Sequence, residues 1–253
     1  MRYDDGYRGV TLRARKPLGR RLRRDDDPKV RSARGAAHRH GGRRHATRPS
    51  AAGVLALRRA LTKPHPRVVG VDDGAFGRED AFAPIAAVVV SAPAYVEAVR
   101  RSRVHVDGTD GTETVVELIR STGALDGVRA VLLDGAVVGG FNVLDLDRIH
   151  DALGVPVVAV TRRPPDFGRI HAALRTWFGA DAERRWGLLR AHRLRRVPTG
   201  EEPILAAAVG CRSLDAATLV RRTTVRGYWP EPLRLAHLIA SSDAPAPVGR
   251  RRD

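Results

Sequence analysis

Two short apolar runs, each stopping at Asp-Gly, constrain this chain more than any other feature. Residues 68–74 read Val-Val-Gly-Val-Asp-Asp-Gly, and residues 130–135 read Ala-Val-Leu-Leu-Asp-Gly. A brief, β-branched apolar run closed by a glycine turn is the pattern of a strand buried on both faces. Both runs carry carboxylates to their ends. If the two strands are neighbours in one sheet, Asp72 and Asp134 meet at one edge. Successive strand residues point to opposite faces, so only one of Asp72 and Asp73 can meet Asp134. Asp72 is the expected partner, because it follows the apolar residues 68, 69 and 71; Asp73 is expected to fix the turn with Gly74. A single Asp-Gly often marks no more than a turn. The argument for a site rests on there being two.

The rest of the chain supplies the frame. A helix is expected near 52–61, broken by Pro64 and Pro66, then strands at 67–72, 85–91 and 95–100 separated by a loop at 73–84. Helical spacing at Val115, Val116, Leu118 and Ile119 predicts a helix over 112–121, capped by Asp110 or Thr112. A strand at 129–133, a helix at 144–153 ended by Gly154, and a strand at 156–161 opened by Pro156 follow. Helices are expected at 167–178 and 181–191, in part of 203–222, and at 231–241. Three strands in succession can form an antiparallel meander, whereas the later ones need crossover connections. The expected fold is α/β: a ribonuclease-H-like mixed sheet with helices on both faces, in which the first and fourth strands lie side by side.

Composition sets the limits. Hydrophobic residues make up 43% of 253, enough for a sizeable core. No apolar run is long enough for a membrane span, and the basic N-terminus is not followed by the apolar stretch of a secretory signal. Cys211 is the only cysteine, which excludes an internal disulfide and a site built from several thiolates; it reads as a small core residue. The expectation is a soluble cytoplasmic protein with no membrane partner. Net charge is +17, and residues 1–52 hold +11 of it. That segment lacks any hydrophobic period and is expected to be a disordered Arg-rich tail. His38, His40 and His45 within it read as part of a solvated basic arm. The ribonuclease-H-like domain is expected over 53–243, with a disordered end at 244–253. The basic excess suits phosphate backbones, but an Arg, Ala, Gly and Val bias also follows from a GC-rich genome.

Several residues then carry candidate chemistry. Paired carboxylates are the usual holders of a hard divalent cation aimed at a phosphate, so Asp72 and Asp134 are candidate catalytic residues and ligands for Mg2+ or Mn2+. Asp107 and Asp110, in Val-Asp-Gly-Thr-Asp-Gly-Thr-Glu (106–113), are candidates for a third ligand, Asp107 first; Glu113 reads as a helix-start charge. The loop 135–142 follows Asp134 directly. Gly135, Gly139, Gly140, Phe141 and Asn142 are candidate nucleic-acid contacts, the glycines allowing close approach and Phe141 stacking on a base. It is neither a Walker A loop nor Gly-x-Gly-x-x-Gly. Arg162 and Arg163, after the strand at 156–161, are candidate phosphate ligands. The stretch Arg184, Arg185, Trp186, Arg190, Arg193, Arg195 and Arg196 reads either as a nucleic-acid track or as a solvated helix face.

Five ordered segments resemble one family. They are Val-Asp-Asp-Gly-Ala-Phe (71–76), Val-Asp-Gly-Thr-Asp-Gly-Thr (106–112), Gly-Gly-Phe-Asn-Val-Leu-Asp (139–145), Arg-Arg-Pro-Pro-Asp (162–166) and Pro-Glu-Pro-Leu-Arg-Leu-Ala-His-Leu-Ile-Ala (230–240). Together they resemble the largely archaeal endonuclease dU family over about 67–242. The resemblance implies a ribonuclease-H-like fold related to endonuclease V and magnesium-dependent cleavage of DNA containing deoxyuridine. In endonuclease V a strand-one Asp, a glutamate after the third strand and a strand-four Asp-Gly hold the metal. Asp72 and Asp134 match the first and last; Asp107 or Asp110 occupies the region of the middle one. Endonuclease V has His-Pro-Arg after its Asp-Gly, where this chain has Ala-Val-Val-Gly-Gly. The leading expectation is a metal-dependent endodeoxyribonuclease acting beside a modified base, in DNA repair. The alternatives are a non-catalytic nucleic-acid-binding protein, which would show neither metal binding nor nicking, and a nuclease acting on inosine-containing DNA or RNA.

Overall fold

The computed structural model describes residues 51–242 apart from Arg78, Gly200 and Glu201. The Arg-rich tail up to residue 50, with its three histidines, and the segment 244–253 lie outside the described residues; Ala51 and Ala52, expected in the tail, already belong to a helix.

That helix, α1 (Ala51–Thr62), buries Leu57 and Ala60. It leads to β1 (Arg67–Asp73), β2 (Phe82–Ser91) and β3 (Tyr95–His105), an antiparallel meander. Helix α2 (Gly111–Arg120) crosses to β4 (Val131–Asp134), which pairs parallel with β1. A small hairpin, β5 (Val137–Val138) and β6 (Asn142–Val143), precedes α3 (Leu146–Leu153) and β7 (Val157–Thr161), parallel to β4. Helices α4 (Phe167–Phe178) and α5 (Ala182–Arg190) form a hairpin. The chain returns as β8 (Arg195–Val197) and β9 (Ile204–Val209), then α6 (Ser213–Thr223) and α7 (Glu231–Ala240). The seven-stranded sheet runs β3-β2-β1-β4-β7-β9-β8. The expected mixed sheet is present, with the first and fourth strands adjacent.

The span 203–222, expected to be helical in part, leads into helix α6 (Ser213–Thr223); before it, residues 204–209 form the strand β9, antiparallel to β7, which local patterning does not signal. The local sequence Ile-Leu-Ala-Ala-Ala-Val has the alanine content of a helix; pairing with β7 overrides it. The loop 135–142 contains the β5–β6 hairpin. Helix starts and stops follow local chemistry where it is strong. Asp145 and Asp166 accept hydrogen bonds from the backbone N–H of Arg148 and Arg169, and Gly154 ends α3 in the left-handed conformation.

Alternation along the buried strands divides the core in two. Val69, Val71, Val131 and Leu133 face a layer containing α2 and α3. Val68, Leu132, Val158 and Val160 face the layer of α1 and α6. Helix α7 lies on this second face, directly over β1. It approaches so closely that a Cβ on Gly70 would stand 2.4 Å from the Pro232 carbonyl group, and one on Gly74 would stand 2.4 Å from that of Ala240. Two glycines four residues apart thus seat both ends of α7 against the strand that carries Asp72.

Candidate active site

The same alternation fixes which side chains can meet. Val68, Gly70 and Asp72 share a face; so do Ala130, Leu132 and Asp134, and Val158, Val160 and Arg162. Asp72 and Asp134 therefore emerge side by side, on the α7 face, at the C-terminal ends of two adjacent parallel strands. Their carboxyl groups are close enough to perturb one another directly. Asp72 is 4% exposed. Its Oδ1 accepts from the Asp73 backbone N–H at 2.8 Å. Its buried Oδ2 finds no hydrogen-bond donor among the described residues.

Two carboxylates cannot sit this close, away from water, and both stay charged without a counter-charge. Burial, reinforced by the neighbouring Asp73 charge, holds the Asp72 carboxyl well above the ordinary range. Burial and then the Asp72 charge push Asp134 up to about 8. Burial raises Asp73 to about 6. The centre is therefore set to take up a proton or a cation.

An arginine and a histidine flank it. An Arg162 guanidinium nitrogen lies 3.7 Å from Asp134 Oδ2. Its carbon sits 3.8 Å above the ring of Trp229; the Thr224–Pro230 bridge closes the loop that presents this ring. On the other side His237, from α7, places Nδ1 3.0 Å from the Asp73 carbonyl oxygen and 3.3 Å from Asp72 Oδ2. A carbonyl only accepts, so Nδ1 carries the hydrogen. His237 and Trp229 were not singled out from sequence. A histidine on a largely apolar helix usually reads as core, and only the seating of α7 on Gly70 and Gly74 brings it to the carboxylates.

The other expected residues are placed differently. Asp73 does not fix its own turn: its Oδ2 accepts from the backbone N–H of Gly139 at 2.6 Å, tying β1 to the β5–β6 loop. Asp107 accepts from the Phe141 N–H at 2.8 Å, and its N–H donates to the Gly139 carbonyl. Gly140 is held tightly here: its φ is +87°, and a Cβ would fall 2.4 Å from Asp107 Oδ1. Asp110 is engaged by His105 and by the Asn142 side-chain amide. The carboxylates of Asp107 and Asp110 thus bind the 105–111 turn to the 139–142 loop, and neither is bonded to Asp72 or Asp134. Among the described residues no group of three or more His, Cys, Asp and Glu is arranged to hold a metal.

Phe141 and Asn142 are corrections. The Phe141 ring is 6% exposed, with edge contacts to Trp177 and Phe178 at 5.8 and 5.7 Å. Asn142 is fully buried; it accepts from the Gly111 N–H and donates to His105 O and Asp110. Neither side chain can be offered to a nucleic acid without dismantling the loop. Replacing Asn142 by Ala is expected to cost about 2–4 kcal/mol, because the buried Gly111 N–H loses its acceptor and Asp110 loses one of its donors; urea unfolding measures it. Arg185 is likewise no track residue. It is 3% exposed and donates to the carbonyls of Asp107, Gly108 and Phe141. Arg163 is exposed beside Arg162. Gly135 donates its N–H to Val160 O as the chain leaves β4. Cys211 is buried, as expected, and burial pushes its thiol up to about 12.

Two cavities, of about 220 and 200 Å3, lie between β8 and α6 and beside the start of β1; neither is lined by the carboxylates. Among the described residues no helix is long and apolar enough to cross a membrane.

The family model described as endonuclease dU matches residues 64–243. A UPF0215 protein of Methanosarcina barkeri is 37% identical over 180 residues, covering 71% of this chain and 91% of that protein. One from Thermococcus gammatolerans is 39% identical over 184 residues, covering 71% and 93%. Among solved structures, a protein of unknown function from Archaeoglobus fulgidus aligns with a TM-score of 0.63 at 28% identity, over 70% of this chain and 96% of that one.

Proposed function

The chain belongs to the endonuclease dU family, and from that premise we propose that it is a metal-dependent endonuclease that cuts DNA beside a modified base such as deoxyuridine. Family membership supports a nuclease; the chemistry of the site supports the finer reading. The observation that carries it is the meeting of Asp72 and Asp134 at adjacent strand ends, with a buried carboxylate oxygen left without a donor.

The donor set fits a hard cation. Mg2+ is commonly held by one or two carboxylates, with waters and substrate phosphates completing its shell. Asp72 and Asp134 would hold it, and a third protein ligand is not needed. Bound there, the ion supplies Lewis acidity to the scissile phosphate and charge stabilisation to the leaving oxygen. The remaining work falls to this chain's own groups. Arg162, held flat by Trp229, faces the phosphate side of Asp134 with a fork of donors. His237 keeps its Nδ1 hydrogen on the Asp73 carbonyl, which turns Nε2 away from that bond as the ring's acceptor. Asp73 anchors the 139–142 loop and so fixes the wall beside Asp134. Because Phe141 and Asn142 are spent inside the loop, recognition of an extruded base falls to surfaces other than their side chains.

The test is a panel of labelled DNA and RNA strands carrying uracil, hypoxanthine or no lesion, incubated with Mg2+, Mn2+ or EDTA. The expected result is nicking that requires a divalent ion and is fastest on uracil-containing DNA. Binding without cleavage of any strand would make this a nucleic-acid-binding protein instead; cleavage confined to hypoxanthine would reassign the base.

A further inference from the structure

We infer that the outer end of β2 and β3 forms a second part of the nucleic-acid site, in which Arg101 and Arg103 take backbone phosphates and Phe82 stacks an unpaired base. The inference rests on the nuclease reading for its location and extends it to a surface that the carboxylate centre does not include.

Register places these residues. Asp72 lies opposite Ala86 on β2, and Ala86 lies opposite Arg101 on β3. Residues directly opposite one another project from the same face, so Arg101 shares the face of Asp72, two strand spacings or about 10 Å away. Arg103 and His105 follow on that face, opposite Pro84 and Phe82. Strand β3 runs in the direction of β1, because both are antiparallel to β2. Arg101 and Arg103 therefore approach the end of the sheet where Asp72 and Asp134 emerge. Their separation, two residues along a strand, is about 6.6 Å, the scale of neighbouring phosphates on one strand.

Chemistry supplies the partner. Arg101 and Arg103 are exposed. Phe82 leaves 45% of its surface to solvent, with its ring 4.5 Å from that of His105. Cations that track a backbone beside an aromatic face are the elements of single-strand binding. Edge strands also carry arginines to discourage pairing with other chains. That account explains charge on β3 but not the exposed aromatic beside it. A stacked base must be out of a duplex, so the surface fits a single-stranded or locally opened strand.

The experiment is fluorescence anisotropy of the full chain with a labelled uracil-containing single strand and its duplex, in EDTA, across a salt series, alongside the cleavage assay. The variants are Arg101→Gln/Arg103→Gln, Phe82→Ala, and Arg129→Gln as a control at the opposite end of the sheet. Circular dichroism verifies that each is folded. The expected result for the double variant is at least tenfold weaker single-strand binding, with the salt slope reduced by about 1.4, the contribution of two phosphate contacts. Phe82→Ala is expected to weaken the single strand about tenfold and the duplex much less, and Arg129→Gln to match wild type. Wild-type cleavage together with unchanged affinity and slope in the variants overturns this surface and leaves the nuclease standing. A lowered slope in a protein that cuts nothing upholds the surface and overturns the nuclease. Failure of the wild type to bind either probe overturns the surface outright.

Discussion

Replacing Asp134 by Asn is expected to abolish cleavage while making the metal-free protein more stable at pH 8. The loss of activity is expected to be a thousandfold or more, about 4 kcal/mol of transition-state stabilisation, since one of the two carboxylates proposed to hold the cation is gone; DNA binding in EDTA should persist. The gain in stability follows from electrostatics. Asp134 titrates near 8 in the folded chain against an ordinary value of 3.8. A carboxyl raised in the folded state holds its proton more tightly there than when unfolded. Its contribution to stability is complete below about pH 4 and is lost as pH rises through 8. The amide in the variant stays neutral and avoids that loss. The ceiling is about 1.4 kcal/mol per pH unit for one proton. Because 22% of the Asp134 side chain is exposed, about 2 kcal/mol in all is the fairer figure, or roughly 4–8 °C in melting temperature for a domain of this size. Added Mg2+ should raise the melting temperature of the wild type at pH 8 and leave Asp134→Asn unmoved. A variant no more stable than wild type at that pH would mean that the two carboxyls do not strain one another, and a wild type indifferent to Mg2+ would mean that they hold no such ion.

The second large effect is expected from a substitution that changes no charge. Gly70→Ala adds one methyl group where the backbone of Pro232 already stands, at 2.4 Å. A backbone carbonyl cannot swing away as a side chain does, so α7 must lift or β1 must bend. Overpacking of this kind costs about 1–3 kcal/mol, and more where the neighbour is rigid. A fall of roughly 6–12 °C in melting temperature is expected for a loss of about 3 kcal/mol. Activity measured well below the new melting temperature should fall as well, because α7 delivers His237 to Asp72 and Asp73. Differential scanning calorimetry with single-turnover cleavage checks both. A variant with wild-type melting and rate would show that α7 is not seated on Gly70 as described.

These two substitutions also mark how far the sequence could be read. Asp134 was accessible, because a buried strand closing on Asp-Gly is a local pattern, and two such patterns need only neighbouring strands to converge. Gly70 was visible as a letter but mute as to purpose: a glycine inside a strand signals close approach, without naming what approaches. Asp107, Asp110, Phe141 and Asn142 stand out in the sequence, yet in the structure their side chains hold the 105–111 turn and the 139–142 loop to one another or pack in the core. Acids, an aromatic and an amide near glycines look alike whether they face a substrate or each other. Burial and hydrogen-bond partners tell the two apart, and both are properties of the packed chain. The strand at 204–209 was missed for a related reason, since its alanines favour a helix in isolation and the edge of β7 decides otherwise.

What residues alone determined is the succession of strands and helices up to β7, the small β5–β6 hairpin apart, and the pairing of Asp72 with Asp134, because side-chain alternation and turn glycines act over a few residues. What only the tertiary structure decided is the company those carboxylates keep. His237 lies 165 residues beyond Asp72, and Arg162 is propped by a ring 67 positions further on. Contacts of that range arise from helix docking and loop closure, which leave no periodic trace in a sequence.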